Sequence, residues 1–370
     1  MFVGHRSSPD PPPRKELLLR KIEQSDLTPV VAQALGDKTA AVLDWQQREL
    51  QGGTVGEVHL LEGQARTATT ASRPWSLVVK IQRPWTRWGD PECWRRELRL
   101  YQSDFFATWP PSLHVPTCYK ASQQDDGEIW LWLETVEGST GSAMTIDDYS
   151  TAARCLAHLQ GRYLTDQALP DEPWLGTRRW LARTLADWGT QAFVWLESSR
   201  QQTNGVFPAD LIEDTLRLWH QRDDFLDIAE SFPRTLCHRD FNPANLFVQG
   251  TARTCAIDWD CAGPGAIGED IGDLIGEALV FEGFPPAQIG ALQESVLTEY
   301  HAGLRQTGWQ GSYNDILLSF AAHAALQWSF RIPCRAKDEE DPDRLEQYRQ
   351  AQRYVLDLAQ QARDLRGQTS

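Results

Sequence analysis

No CxxC pair occurs among the seven cysteines of this 370-residue chain, and seven is an odd number. Both facts argue against a disulfide framework and a zinc site, so Cys93, Cys118, Cys155, Cys237, Cys255, Cys261 and Cys334 are expected as reduced, mostly buried thiols. Long apolar runs are missing too. None approaches membrane-spanning length, and the opening MFVGHRSSPDPPPRKE contains no apolar segment of signal-peptide type. The expectation is a cytoplasmic protein with no membrane partner. Positive charge is in deficit, with 36 Lys and Arg against 51 Asp and Glu. The shortfall lies in residues 136–370, with 34 acids to 20 bases, whereas residues 1–135 hold 17 acids to 16 bases. Phosphate backbones need a basic footprint, so nucleic acid is not expected as a partner. The acidic half is either a solvated surface kept soluble by repulsion or an attraction for cationic ligands.

What is present is enough chain, of ordinary apolar content, for two domains or one bilobal one. Residues up to Pro11-Pro12-Pro13 read as a tail and Arg14 to Gln24 as a short helix, so that residues 1–26 form a tail and a helix. Strand patterning follows. Glycines 52, 53 and 56 precede an alternating Val58 and Leu60, then a polar hairpin tip, then Leu77-Val78-Val79-Lys80-Ile81. Trp94, Leu98 and Tyr101 have helical spacing within a helix from about Pro91 to Phe105. Asp125-Asp126-Gly127 is a hairpin turn before an apolar strand, Ile129 to Leu133. Beyond Gly138 the pattern is helical. Thr145-Ile-Asp-Asp148 has capping-box spacing for a helix to Tyr163, and further helices are expected over 174–197, 209–230, 286–304, 313–330 and 344–365. The only strand signals in this half are Leu246-Phe247-Val248 and Cys255-Ala256-Ile257. The chain thus divides into residues 27–135, strand-rich, and residues 136–370, mainly helical.

Between those helices lies Cys237-His-Arg-Asp-Phe-Asn-Pro-Ala-Asn-Leu-Phe247. It sets Asp240 five residues before Asn245, and Asp258 ends the next short strand. Three oxygen ligands are thereby brought together, and magnesium is a hard cation that takes one or two carboxylates plus substrate phosphates. The spacing suggests a division of labour. Asp240 would accept or orient a hydroxyl proton, while Asn245 and Asp258 hold the metal on nucleotide phosphates, the template for phosphoryl transfer from ATP to an alcohol. Phe241 and Pro243 would stiffen the loop. A lone HxD is commonly just a turn, but HRDxxxxN followed by apolar-Asp is a joint arrangement that chance rarely provides.

His238–Asn245 and Ile257-Asp-Trp-Asp260 through Asp270 resemble the phosphotransferase family that contains aminoglycoside phosphotransferases and choline kinases, relatives of protein kinases. The resemblance extends over most of residues 45–330. It implies an α+β, bilobal protein-kinase-like fold with a small strand-rich N-lobe and a larger helical C-lobe. It also implies ATP and Mg2+ as cofactors, and a small-molecule hydroxyl as acceptor, of aminoglycoside, choline or amino-alcohol type. The front half carries the parts such a lobe needs, in order. Gln51-Gly-Gly-Thr-Val-Gly-Glu-Val58 stands where the phosphate loop belongs, so Gly52, Gly53 and Gly56 are binding candidates, although Gln51 replaces the loop's usual first glycine. Lys80 ends an apolar strand, and Glu97 in WRRELRLY would pair with it. Leu131 to Gly138 resembles the hinge, with backbone groups from Glu134 to Val136 at the adenine edge.

Protein kinases share the loop spacing, but this chain has Asn242 and Ala244 where they carry Lys or Arg, IDWD for DFG, and no APE. A small-molecule kinase is the better reading. A non-catalytic nucleotide sensor or scaffold is the rival, and retention of Lys80, Glu97, Asp240, Asn245 and Asp258 together argues against it. Asp270 is expected to brace the catalytic loop and Arg239 to be structural. Glu269, Asp273 and Glu277 either face an amine on the acceptor or are helix-start charges. Sixteen tryptophans would supply an aromatic cage for a quaternary ammonium, although Trp180, Trp188, Trp195 and Trp219 fall on helices where core packing accounts for them. His323, Trp328 and Arg331 are further acceptor-side candidates.

Overall fold

Asp26 closes a box on Glu23, accepting its N–H at 3.3 Å, and so starts α1 (Gln24–Ala34). This is the opening of a computed structural model that describes residues 22–50, 56–86, 90–177, 179–200 and 205–369. The expected tail and most of the helix from Arg14 lie outside the described residues, as do Gly52 and Gly53. Next come β1 (Ala41–Glu49), β2 (Glu57–Arg66) and β3 (Arg73–Gln82), then α2 (Cys93–Gln102), β4 (Leu113–His114), β5 (Cys118–Gln123) and β6 (Ile129–Glu134). Five of these strands form an antiparallel sheet in the order β1-β2-β3-β6-β5.

The pleat sends alternate residues to opposite faces. Trp75, Leu77, Val79 and Ile81 of β3 and Trp130 and Trp132 of β6 pack with Leu27, Val30 and Val31 of α1. Ile129, Leu131 and Leu133 turn the other way, onto Trp94 and Leu98 of α2. Lys80 has the opposite parity to Val79 and Ile81, and its register partners are Val58 and Leu131. Strand geometry alone therefore delivers its side chain to the α2 face.

The second part is mainly helical: α3 (Ile146–Thr165), α4 (Trp180–Thr184), α5 (Thr190–Ser199), α6 (Ala209–His220) and α7 (Arg222–Ser231). Then follow β7 (Arg234–Cys237), β8 (Leu246–Gln249), β9 (Arg253–Ala256), β10 (Gly263–Ala266), α8 (Glu269–Val280), α9 (Ile289–Gln306), α10 (Tyr313–Ala336) and α11 (Pro342–Thr369). Thr145 caps α3 as its spacing predicts, with Asp148 N–H donating to Thr145 Oγ1 at 3.3 Å and Thr145 N–H to Asp148 Oδ2 at 2.8 Å. The centre of α10 is buried on all sides, from Ser319 to Phe330, as befits a helix apolar around its circumference.

Two compact units result, residues 22–108 with 115–137, and residues 109–114 with 138–369. The short segment 109–114, expected in the front lobe, belongs to the helical unit because β4 pairs in parallel with β9. Strands in this unit also exceed the two expected: β7 pairs antiparallel with β10, and β4, β9 and β8 make a three-stranded sheet. Among the described residues no helix is long and apolar enough to cross a membrane.

Candidate active site

β7 ends at Cys237 and β8 begins at Leu246, so the loop 238–245 is fixed at both ends by pairing, β7 to β10 and β8 to β9. Its interior is fixed by His238, which is wholly buried. His238 Nε2 lies 2.9 Å from Ile257 O, and Asp240 N–H donates to His238 Nδ1 at 3.2 Å. A carbonyl can only accept and an N–H only donate, so the proton of the neutral ring sits on Nε2. The imidazole thus ties the aspartate to the end of β9. Trp259 packs on the ring, with centroids 4.2 Å apart, and Phe241 is also buried.

The Asp240 side chain is half-buried and gripped from two directions. Asn242 Nδ2 donates to Oδ1 at 3.0 Å, and Asn245 Nδ2 donates to Oδ2 at 3.0 Å and to the Asp240 carbonyl at 3.0 Å. An ionised carboxylate is acceptor-only, the chemistry needed to take a proton from a hydroxyl. Because both Asn245 contacts are acceptors, its amide nitrogen is assigned without ambiguity and its Oδ1 is the group left over. Asn245 O accepts Ile257 N–H at 2.9 Å, which sets Asn245 beside the strand end that presents Asp258. Asp258 itself adopts φ 63° and ψ 62°, a left-handed conformation uncommon outside glycine, which turns the chain out of β9. Among the described residues no group of three or more His, Cys, Asp or Glu side chains is placed to hold a metal. A site offering one amide oxygen and one carboxylate suits a hard cation that draws its remaining ligands from phosphate.

Beneath the loop, Asp270 does what the sequence predicts and more. His238 N–H and Arg239 N–H donate to its two oxygens at 2.9 and 2.7 Å. Gln160 Nε2 on α3 adds a third bond at 2.9 Å, and Tyr300 O–H on α9 donates to Gln160 Oε1. Burial pushes the Asp270 carboxyl up to about 7 although the Arg239 and His238 amides pull the other way. The folded state therefore holds this proton more tightly than the unfolded chain, so the stability that Asp270 contributes is full below about pH 4 and is lost as pH rises through about 7. Urea unfolding across that range should show wild type losing stability relative to Asp270→Asn. A difference independent of pH would contradict the assignment.

Arg239, at φ 65°, points inward. Its Nε donates to Glu269 Oε1 at 3.1 Å and Nη2 to Pro264 O at 2.5 Å, while its guanidinium lies over Trp180. Glu269 Oε2 accepts Ala266 N–H at 3.0 Å. Both its oxygens are thus engaged in the interior, which removes Glu269 from the residues that could meet an amine. Asp273, buried, and Glu277, half-buried, stand one and two turns further along α8, and the charge of Asp240 bears on both. Burial is the main cause that raises both their pKa values. Asp273 Oδ1 accepts from Gln327 Nε2, and Glu277 pairs with Arg331 at 3.0 Å. His323 is likewise buried, 3.0 Å from Gln327 Oε1, and serves that internal chain.

In the sheet unit Lys80 Nζ meets Glu97 Oε2 at 2.7 Å, and Gln82 Nε2 donates to the same oxygen at 3.2 Å. Glu97 is 1% exposed, so this ammonium is the compensation its charge requires. Gly56 takes φ 114°, and a Cβ there would stand 2.4 Å from Ile81 O, so the end of the glycine segment is packed on the strand that carries Lys80. Glu134 N–H donates to Thr117 O at 2.9 Å, whereas the backbone groups of Val136 engage none of the described residues.

Sequence reading missed Asn242, Gln160 and the depth of His238. Asn-Pro at 242–243 was the available signal for the first, since a side-chain oxygen of Asn starts such turns: Asn242 Oδ1 accepts Asn245 N–H at 3.1 Å. Nothing local marks Gln160.

Residues 63–307 match the model of the phosphotransferase enzyme family. The chain belongs to that family. No curated protein matches it. Among solved structures it is similar to a choline kinase from Cryptosporidium parvum at 12% identity, over 86% of this chain and 90% of that one, with a TM-score of 0.54. An amicoumacin kinase in complex with AMP-PNP, Ca2+ and Ami is similar at 14% identity, over 84% and 88%, with a TM-score of 0.53. An aminoglycoside phosphotransferase from Alicyclobacillus acidocaldarius is similar at 14% identity, over 86% and 93%, with a TM-score of 0.51. The fold is protein-kinase-like.

Proposed function

We propose that this member of the phosphotransferase enzyme family moves the γ-phosphate of ATP to a hydroxyl of a small molecule. The observation that carries the reading is the Asp240 carboxylate, oriented on its loop by the side-chain amides of Asn242 and Asn245. Asp240 aligns the acceptor hydroxyl and takes its proton as the bond to phosphorus forms. Asn245 and Asp258 would hold Mg2+, which would supply neutralisation of phosphate charge. Lys80, kept in place by Glu97, contacts the phosphates. Gly56, with Gly52 and Gly53, lets backbone approach them, and Val136 offers unengaged backbone groups to the adenine edge. The AMP-PNP named with the amicoumacin kinase fits this use of ATP.

The acceptor lies in the helical unit beside Asp240. Asp273 and Glu277 bring carboxyl oxygens to that region as acceptors, which suits an acceptor carrying an amine, as the choline kinase and aminoglycoside phosphotransferase named above suggest. The test is ADP release over a panel of aminoglycosides, choline-like amines, amino alcohols, sugars and macrolides. Acceptor-dependent release with at least one class is the expected result. Tight ATP binding with none across the panel would favour a nucleotide sensor.

A further inference from the structure

Two arginines one helical turn apart, Arg331 and Arg335 of α10, share one aromatic shelf. Arg331 stands 5.2 Å from the Trp188 ring, 5.7 Å from Phe281 and 4.4 Å from Trp328. Arg335 stands 5.9 Å from Trp188 and 5.1 Å from Phe281. These are the rings a quaternary ammonium cage would need, and the protein's own cations already occupy them. Like charges four residues apart on a helix repel, so the pairing is not one that helix stability selects. One guanidinium is compensated: Arg331 Nη1 meets Glu277 Oε1 at 3.0 Å. Its buried Nε has no hydrogen-bond partner among the described residues, while Arg335 is exposed and keeps its guanidinium edge toward solvent. Asp187, the other acid of this neighbourhood, accepts from Gln191 at 3.1 Å.

The shelf is purposely shaped by two departures from regular packing. Trp188 sits in a π-helical turn, Leu185–Gly189, inserted between α4 and α5, and such turns recur at functional sites. Its carbonyl accepts from Cys334 Sγ at 3.6 Å, which ties the turn to the helix that bears both arginines. Across the shelf, a Cβ at Gly276 would stand 2.1 Å from the Trp328 indole, so only glycine leaves that ring its place under Arg331. With Arg331 Nη1 taken by Glu277, it is the exposed Arg335 guanidinium, lying on aromatic faces, whose N–H edge is open, and that edge matches the two oxygens of a carboxylate or phosphate. The path from the reacting centre is short in residues. Asp240 bears electrostatically on Glu277, Glu277 bonds Arg331, and Arg335 is the next turn.

We propose that Arg331 and Arg335 form an oxyanion-reading subsite on the acceptor side, so that the acceptor is an alcohol that also carries a carboxylate or phosphate. This rests on the phosphotransfer reading for its location, and it adds the charge that the acidic residues alone do not suggest. An amine near Asp273 and an oxyanion at Arg335 are compatible on one molecule.

Two measurements test it. ADP release is compared within matched pairs that differ by the oxyanion: serine with ethanolamine, glycerate with ethylene glycol, glycerol 3-phosphate with glycerol. Binding of glycerate and of inorganic phosphate is followed by titration calorimetry with AMP-PNP and magnesium saturating, which removes the nucleotide-phosphate site as a competing anion site. The oxyanion member should be preferred by about tenfold or more, the scale of one charge-assisted contact. R335Q should abolish the preference and leave AMP-PNP binding and the thermal midpoint unchanged, and R335K should recover part of it. Preference confined to the carboxylate pairs, or to the phosphate pair, names the group. A preference that survives R335Q, or no anion binding at all, overturns the subsite whatever the turnover. Arg335-dependent glycerate binding without turnover of any alcohol would instead leave the subsite standing and remove the phosphotransfer reading.

Discussion

Asp240→Ala is expected to cut acceptor-dependent ADP release by about 10²- to 10⁴-fold, the usual contribution of a positioned general base. AMP-PNP binding in the presence of magnesium should be nearly unaffected. The separation follows from what Asp240 touches. Its carboxylate accepts from Asn242 and Asn245 through their amide nitrogens, while the Asn245 oxygen faces away from those bonds. On the proposed roles, removing the carboxylate strips the hydroxyl of its proton acceptor and leaves the Asn245 oxygen in place for a metal. Asn245 retains a second hold on the loop, through the Asp240 carbonyl at 3.0 Å, and His238 still receives the residue-240 N–H. The loop should keep its course. Asp240→Asn is the sharper companion, because an amide NH2 would then confront one of the two donors and displace it. Should binding and turnover fall together in Asp240→Ala, the aspartate would belong to the nucleotide site and the catalytic assignment would be lost.

Contacts between residues close in sequence were legible; those made across the fold were not. HRDxxxxN and the apolar-Asp strand end are local, and they located Asp240, Asn245 and Asp258 on one loop and the neighbouring strand end. Lys80 and Glu97 were equally accessible, since strand parity aims the first at the helix that carries the second. Asp270 was expected under the loop, but its third donor, Gln160, is 110 residues away on α3 and nothing in its neighbourhood distinguishes it. β7 and β10 escaped notice for a different reason. Each has four residues, β10 is Gly-Pro-Gly-Ala and buried throughout, and so neither alternation nor β propensity could mark it. A single helix was expected over 209–230, and the chain breaks at Gln221 into α6 and α7. α10 runs on through Pro333 to Ala336, past the expected end at Phe330. That extra turn and a half carries Arg331 and Arg335, so helix length decided whether the shelf could be seen.

Arg239 and Glu269 should give the largest loss of stability of any single substitution in this region. Their side chains are 0% and 5% exposed, and the pair joins the loop 238–245 to the first turn of α8. Removing one partner leaves the other charged and buried, at a typical cost of about 3–5 kcal/mol. Against a total stability on the order of 5–15 kcal/mol, either Glu269→Gln or Arg239→Met should lower the thermal midpoint by roughly 10 °C. The double variant Arg239→Met, Glu269→Leu should lose less than the two singles added, because no uncompensated charge remains. Two contacts keep it from being neutral. Pro264 O would lose the donor at 2.5 Å and Ala266 N–H its acceptor at 3.0 Å. Activity separates this bracing role from a chemical one. A bracing arginine predicts that turnover in the double variant, measured well below its midpoint, is reduced far less than in Asp240→Ala. A loss as deep as that of Asp240→Ala, in a variant that remains folded, would mean that the guanidinium takes part in the reaction after all.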